Sequence, residues 1–307
     1  MYFAKHETFH IRDGWLYKGL AATVQQPSIF MNDDAPEFLG IGKNMVRALR
    51  FWMQATGLTQ ERMNTQLRTK EQIPTVFGKM VQKHDPYLED DGTLWLIHYH
   101  LVTNPELATT WYWFFNHYAP IEFIRDEFID QLERWINIQD ERPLRISKHS
   151  LQKDFDCLIR TYLPGRRDRS PEDQLECPLT DLGLLSAIVE KDEEGKRYHQ
   201  YRLERPELNS LIAWVFLFIL LDRQEKERPD AHQVNIDQAL REPNNVGRVL
   251  NIGARDLEEM LVCMEDQFPI EFQVRLTRTG GLDQLTLPNI PAKKILGMYY
   301  TEHEAVK

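Results

Sequence analysis

The chain has 307 residues, 42% of them hydrophobic and 27% charged, and its 37 Lys and Arg stand against 47 Asp and Glu for a net charge of −10. That length exceeds one small core and suits two or three units. The composition excludes a disordered chain, and the acidic balance excludes a protein whose whole surface attracts phosphate.

The first residues, MYFAKHETFHIRDGW, lack the apolar core of a signal peptide, so the chain reads as cytoplasmic. Asp33 and Asp34 precede Ala35-Pro36, where Asp34 suits the cap of a helix; as a carboxylate pair they are also candidate Mg2+ ligands. After the turn Leu39-Gly40-Ile41-Gly42, the spacing predicts a helix over 43–56 with Gly57 as its stop. Met45, Ala48, Leu49, Trp52 and Met53 form its apolar stripe, and Lys43, Asn44, Arg47, Arg50 and Gln54 its polar face. Arg offers paired donors to guanine, Asn can pair with adenine, and Lys neutralises phosphate, so Lys43, Asn44, Arg47 and Arg50 are candidate DNA contacts. A plain solvated face is the alternative.

Glu89-Asp90-Asp91-Gly92 reads as a turn, with Glu89 and Asp90 as further candidate metal ligands. Residues 93–102, TLWLIHYHLV, are aromatic and branched and are expected to form a strand, the wing of a winged helix-turn-helix unit. On a strand His98 and His100 would share a face, where packed core histidines are favoured over a metal pair.

A second unit begins near residue 144. Its helix sets Leu151, Phe155, Leu158 and Tyr162 on one side, and a basic loop with Arg166 and Arg167 follows as a candidate phosphate clamp. Residues 181–189 lead to a charged turn at 192–195 and a strand over 198–203. Asp181 with Glu194-Gly195-Lys196 loosely matches the layout of metal-dependent nucleases, but Gly195 falls in a turn rather than on a strand. The apolar run 211–221 is too short for a bilayer and fits a buried helix, so no membrane partner is expected. A third unit carries a helix over 254–267 with Leu257, Met260, Leu261 and Met264 inside and an acidic outer face, which suits partner docking or a homodimer. Alternation at Ile270, Phe272, Val274 and Leu276 predicts a strand. Cys157, Cys177 and Cys263 are widely spaced, with no CxxC pair, and read as reduced thiols. No P-loop, dinucleotide-binding glycine pattern or GxSxG elbow is present.

The expected class is α+β and mainly helical, built from winged helix-turn-helix-like units with short β-hairpins. The expected boundaries are 1–140, 141–230 and 231–307, with DNA binding in the first.

Three stretches carry a resemblance. They are residues 3–19, with FAKHETFHIR and GWLYKG; residues 39–58, LGIGKNMVRALRFWMQATGL; and residues 84–102, HDPYLEDDGTLWLIHYHLV. They resemble the SspB-like family of bacterial proteins associated with DNA phosphorothioation, formerly a domain of unknown function. The resemblance continues more thinly through Lys153-Asp154-Phe155 and Cys177-Pro178-Leu179 to Tyr299-Tyr300. It implies a Mg2+-dependent nickase that opens one DNA strand before sulfur is incorporated, in antiphage defence. It also implies a cysteine desulfurase, an ATP pyrophosphatase and an ATPase as partners. Residues His6, Glu7, Thr8, Phe9, Arg12, Trp15 and Lys18 match the family motif. On their chemistry Glu7 is a candidate Mg2+ ligand, His10 a proton carrier and Arg12 a stabiliser of phosphorane charge. The alternative makes the motif a clamp in which Phe9, Trp15 and Leu16 anchor the chain while His6 and Arg12 satisfy buried polar groups. At the level of function, the alternative to the nickase is a non-catalytic recognition subunit that recruits the sulfur-transfer enzymes; a transcriptional regulator is a weaker third reading.

Overall fold

A computed structural model describes residues 1–139, 146–165, 176–207, 210–279 and 282–304. It is α+β and mainly helical, with three small antiparallel sheets among the described residues. The chain opens in a turn-rich arm and enters α1 (Trp15–Gln25), then α2 (Ala35–Leu39) and α3 (Lys43–Ala55). A hairpin follows at once, β1 (Thr59–Asn64) and β2 (Thr69–Pro74), and leads to α4 (Val76–His84). Gly57 has φ +71 and carries the chain out of α3, as expected of a residue just past a helix end.

The helix α5 (Asp91–Val102) replaces the strand expected at 93–102. Asp90 caps it by accepting the Thr93 amide at 3.0 Å, and the residues from Gly92 to Tyr99 are buried on every side. A helix buried all round shows no polar stripe, so its apolar and aromatic run imitates a strand. This correction also separates His98 from His100, since positions two apart on a helix face different ways. His98 is fully buried, donating Nε2–H to the Val249 carbonyl at 2.9 Å and accepting the Tyr162 hydroxyl on Nδ1 at 2.7 Å. Burial lowers its pKa to about 4, with the Val249 carbonyl working the other way.

After α5 come α6 (Thr109–Trp113), β3 (Glu122–Ile124), α7 (Arg125–Gln139) and α8 (Lys148–Tyr162). The expected apolar face of α8 is buried at Leu151, Phe155, Leu158 and Tyr162. The hairpin β4 (Leu185–Lys191) and β5 (Arg197–Leu203) accepts β3 on its edge, in the order β3-β5-β4. The apolar run lies inside α9 (Ser210–Glu227), which packs against α5, and Ile212 through Leu221 are all buried. The chain then forms β6 (Gln233–Asn235), α10 (Ile236–Arg241), α11 (Val246–Val249) and α12 (Ala254–Gln267). The bounds and buried residues of α12 match the sequence expectation.

Past α12 the expected strand starts late. Residues Ile270–Phe272 are a turn of 3-10 helix, and β7 (Arg275–Thr279) pairs with β8 (Leu282–Thr286) in the order β6-β8-β7. The final helix, α13 (Ala292–Glu304), packs on α9 and on α4. No helix among the described residues is long and apolar enough to cross a membrane.

Candidate functional site

Two regions hold the candidate DNA contacts of α3 and the residues of the N-terminal motif, and they treat charge in opposite ways. The first is α3 with its hairpin. Val46, Leu49, Trp52 and Met53 are buried and seat α3 in the core, with Gly19 of α1 in close contact with Met53 and Leu49. This leaves Lys43, Asn44 and Arg47 exposed, with Arg47 donating to Asn44 Oδ1 at 3.4 Å. Arg50 behaves differently: it is half-buried and its guanidinium is spent on Glu61 of β1. Lys70 reaches the same carboxylate at 2.7 Å. Burial works to raise the Glu61 pKa, but Arg50 and Lys70 outweigh it and hold the group below its ordinary value.

The hairpin was not foreseen, because TQERMN and TKEQIP are too polar to read as strands. Its base is fixed to α3. Gln72 donates to the Arg50 carbonyl at 2.9 Å, Thr59 donates to Gln72 at 3.2 Å, and the Gln72 amide donates to the Pro27 carbonyl at 2.8 Å. On the other face Glu71 accepts Arg62 at 3.2 Å and Asn64 at 2.6 Å. Residues 40–74 carry six basic side chains, Lys43, Arg47, Arg50, Arg62, Arg68 and Lys70, against only Glu61 and Glu71. On a chain of net charge −10 this is a local reversal of sign.

The second region is the N-terminal arm, which runs its polar groups inward. His6 is buried and its Nε2 lies 2.9 Å from Asp154 Oδ1 on α8. The same carboxylate accepts the Ala4 amide at 2.7 Å and the Thr110 hydroxyl at 2.6 Å. Burial disfavours a charged His6, while the Cys157 sulfur and Asp154 pull its pKa upward. Yet Nδ1 already accepts the Thr8 amide at 3.1 Å, and a second ring proton would face that N–H. We therefore assign the neutral ring with Nε2–H donating to Asp154.

Trp52 donates to the Phe9 carbonyl at 2.9 Å, tying the arm to α3. Arg12 is only 8% exposed, with its guanidinium carbon 5.6 Å from each of the Phe9 and Trp15 ring centres and its Nε buried without a hydrogen-bond partner among the described residues. His10 is buried as well. Glu7 is half-buried and, like Thr8, has a left-handed backbone, with φ of 50 and 72. Arg160 of α8 closes the arm by donating to the Thr8 carbonyl at 3.3 Å. The partners on α8 escaped the sequence reading of the arm, because Asp154 and Arg160 lie some 150 residues away.

The carboxylates proposed for Mg2+ are divided between two helix starts. Asp33 and Asp34 are exposed before α2, where Asp34 takes the cap position without bonding an amide through its side chain. Glu89 is exposed, and Asp90 is occupied by the Thr93 amide and the Tyr299 hydroxyl. Beside it, burial and then the Asp90 and Asp181 charges raise the Asp91 pKa. No group of three His, Cys, Asp or Glu among the described residues is placed to hold a metal ion. These four carboxylates do not fit a preformed Mg2+ centre. Glu194-Gly195-Lys196 lies in the β4–β5 turn, where Asp192 Oδ1 accepts the amides of Glu194 at 3.1 Å and Lys196 at 2.8 Å. Arg166 and Arg167 lie outside the described residues.

The sequence model of a family described as "Protein of unknown function (DUF4007)" matches residues 3–300. Two solved structures are similar in fold. A magnesium ion-bound SspB crystal structure is 29% identical with a TM-score of 0.83, covering 98% of this chain and 87% of that one. An SspB crystal structure is 28% identical with a TM-score of 0.82 and the same coverage. None of the curated proteins matches the chain.

Proposed function

The chain belongs to the DUF4007 family, and from that premise we propose that it is the DNA-binding component of a bacterial phosphorothioation system, contacting duplex DNA through α3 and the hairpin that follows it. The observation that carries this is the exposed Lys43, Asn44 and Arg47 face in a net-basic segment of an acidic protein. In this reading α3 is the recognition helix of a winged-helix unit and β1–β2 is its wing, in place of residues 93–102. Arg50 and Glu61 hold the wing against the helix rather than reading a base. The likeness to SspB supports the pathway, and the partners we propose within it are a cysteine desulfurase, an ATP pyrophosphatase and an ATPase.

Single-strand nicking with Mg2+ is the reaction we propose for it. A magnesium ion-bound SspB structure supports the metal. Bound Mg2+ would supply charge neutralisation at the scissile phosphate. No step is assigned to Asp33, Asp34, Glu89 or Asp90, since they form no common centre. The division of these carboxylates, and the burial of His10 and Arg12, favours the second reading, a recognition subunit without chemistry of its own.

A supercoiled plasmid separates the two. In EDTA the protein should retard the plasmid, and Lys43→Ala with Arg47→Ala should abolish the shift. With Mg2+ a nickase converts it to open circles, and Ala variants of Glu7, Asp33, Asp34, Glu89 and Asp90 locate the chemistry. Retardation without open circles makes the recognition subunit correct; no retardation at all removes the DNA reading.

A further inference from the structure

The tip of the β1–β2 hairpin exposes apolar side chains where a soluble turn needs none. Leu67 is 68% exposed and Met63 is 58% exposed. The tip is nevertheless built as a firm turn: Asn64 Oδ1 accepts the amides of Gln66 and Leu67, each at 3.0 Å, and Arg68 takes a left-handed φ of 52. Its position follows from its ties to α3. The strand β1 leaves the end of α3 at Gly57 and meets Arg50 at Glu61, so it runs back along the helix. From that tie, the helix back to Lys43 and the strand on to Asn64 each extend about 10 Å. The apolar tip therefore comes level with the exposed start of α3. Met63 pairs with Lys70 across the hairpin and shares the face that carries Glu61, the α3 side.

Charge identifies the occupant. The two acidic groups of the hairpin are paired, Glu61 with Arg50 and Lys70 and Glu71 with Arg62, whereas Arg68 at the tip makes no ion pair among the described residues. An apolar wedge ringed by cations suits a polyanion with a stacked apolar interior rather than an apolar protein groove. Resting on the DNA reading above, we propose that the hairpin tip enters the minor groove of the bound duplex and inserts Leu67, backed by Met63, at a base step, bending the DNA. Arg68 then neutralises a phosphate beside the opened step.

The test uses the full chain and a short duplex carrying a donor and an acceptor dye at its two ends, at saturating protein. Wild type should bring the ends together and raise energy transfer. Leu67→Ser with Met63→Ser should bind with Kd raised about tenfold or less, yet leave the duplex straight. Both positions are exposed, so an unchanged melting temperature confirms an intact fold. Lys43→Ala with Arg47→Ala reports on the parent reading by losing binding. Bending that persists in the Leu67 and Met63 variant overturns the wedge, as does wild type that binds without bending; in either case the tip is a protein-docking surface or plain solvent face. Duplex binding that survives loss of Lys43 and Arg47 overturns the α3 reading and leaves the wedge to stand or fall on the bend.

Discussion

The N-terminal arm and the α3–hairpin segment are neighbours joined by the Trp52–Phe9 bond, yet one hides its polar side chains and the other displays them. In the arm, His6 and Arg12 lie against aromatic rings and the Asp154 carboxylate is also buried, so every hydrogen bond counts toward stability. In the hairpin segment, Lys43, Asn44 and Arg47 are exposed, and their loss should cost the fold little. The lesson is that density of motif residues and availability for a ligand are separate properties. In the densest motif of the chain His6, His10 and Arg12 are buried.

The largest effect should come from breaking the clamp. Asp154→Ala removes the acceptor for the Ala4 amide, His6 and Thr110 at once, with His6 and Thr110 fully buried. Each donor left without its acceptor costs about 1–3 kcal/mol, so denaturant unfolding should show a loss of about 3–5 kcal/mol; a loss below about 1 kcal/mol would mean that the arm is not locked in place. Acid tests the buried side of the comparison next. His98 is neutral in the fold with a pKa near 4, against an ordinary 6.5. A depressed base is protonated first in the unfolded chain, so its contribution is complete above about pH 6.5 and falls as pH drops toward 4. The loss is about 3 kcal/mol. His98→Gln should begin less stable and lack that slope; an equal slope in both proteins would show that His98 is not its source.

On the exposed side, Arg47→Ala should weaken duplex binding by about 1–3 kcal/mol if it reads a base, with stability shifted by no more than about 0.5 kcal/mol. A change in melting temperature that matches the affinity loss would erase the distinction between the regions. Arg50 lies between the two behaviours. Arg50→Ala leaves Glu61 with Lys70 alone and should cost about 1 kcal/mol of stability, and weaken binding less than loss of Arg47 does. A larger binding loss at Arg50 than at Arg47 would return Arg50 to the reading face.

Much of this was legible where one face of an element is wet. The helices α3, α8 and α12 alternate apolar and polar stripes, and their spacing located them. Burial on all sides removed that signal from α5, where Asp90 and Asp91 are the one helix-start signature left in the sequence. The β1–β2 hairpin was missed for the opposite reason: Glu61, Arg62, Lys70 and Glu71 pair across or beside the strands, so little apolar pattern is left. In the site, exposure of Lys43, Asn44 and Arg47 followed from the helical stripe. The capture of Arg50 by Glu61 did not, because it depends on a hairpin that the sequence concealed.

The most direct measurement is the salt dependence of duplex affinity for wild type and for Lys43→Ala with Arg47→Ala, read by fluorescence anisotropy. If α3 lies against DNA, the double variant binds at least tenfold more weakly, and where both residues meet phosphate its slope of log K against log salt is shallower by about 2. Equal affinity and equal slope in the two proteins would contradict the account, leaving the basic face of α3 as solvated surface.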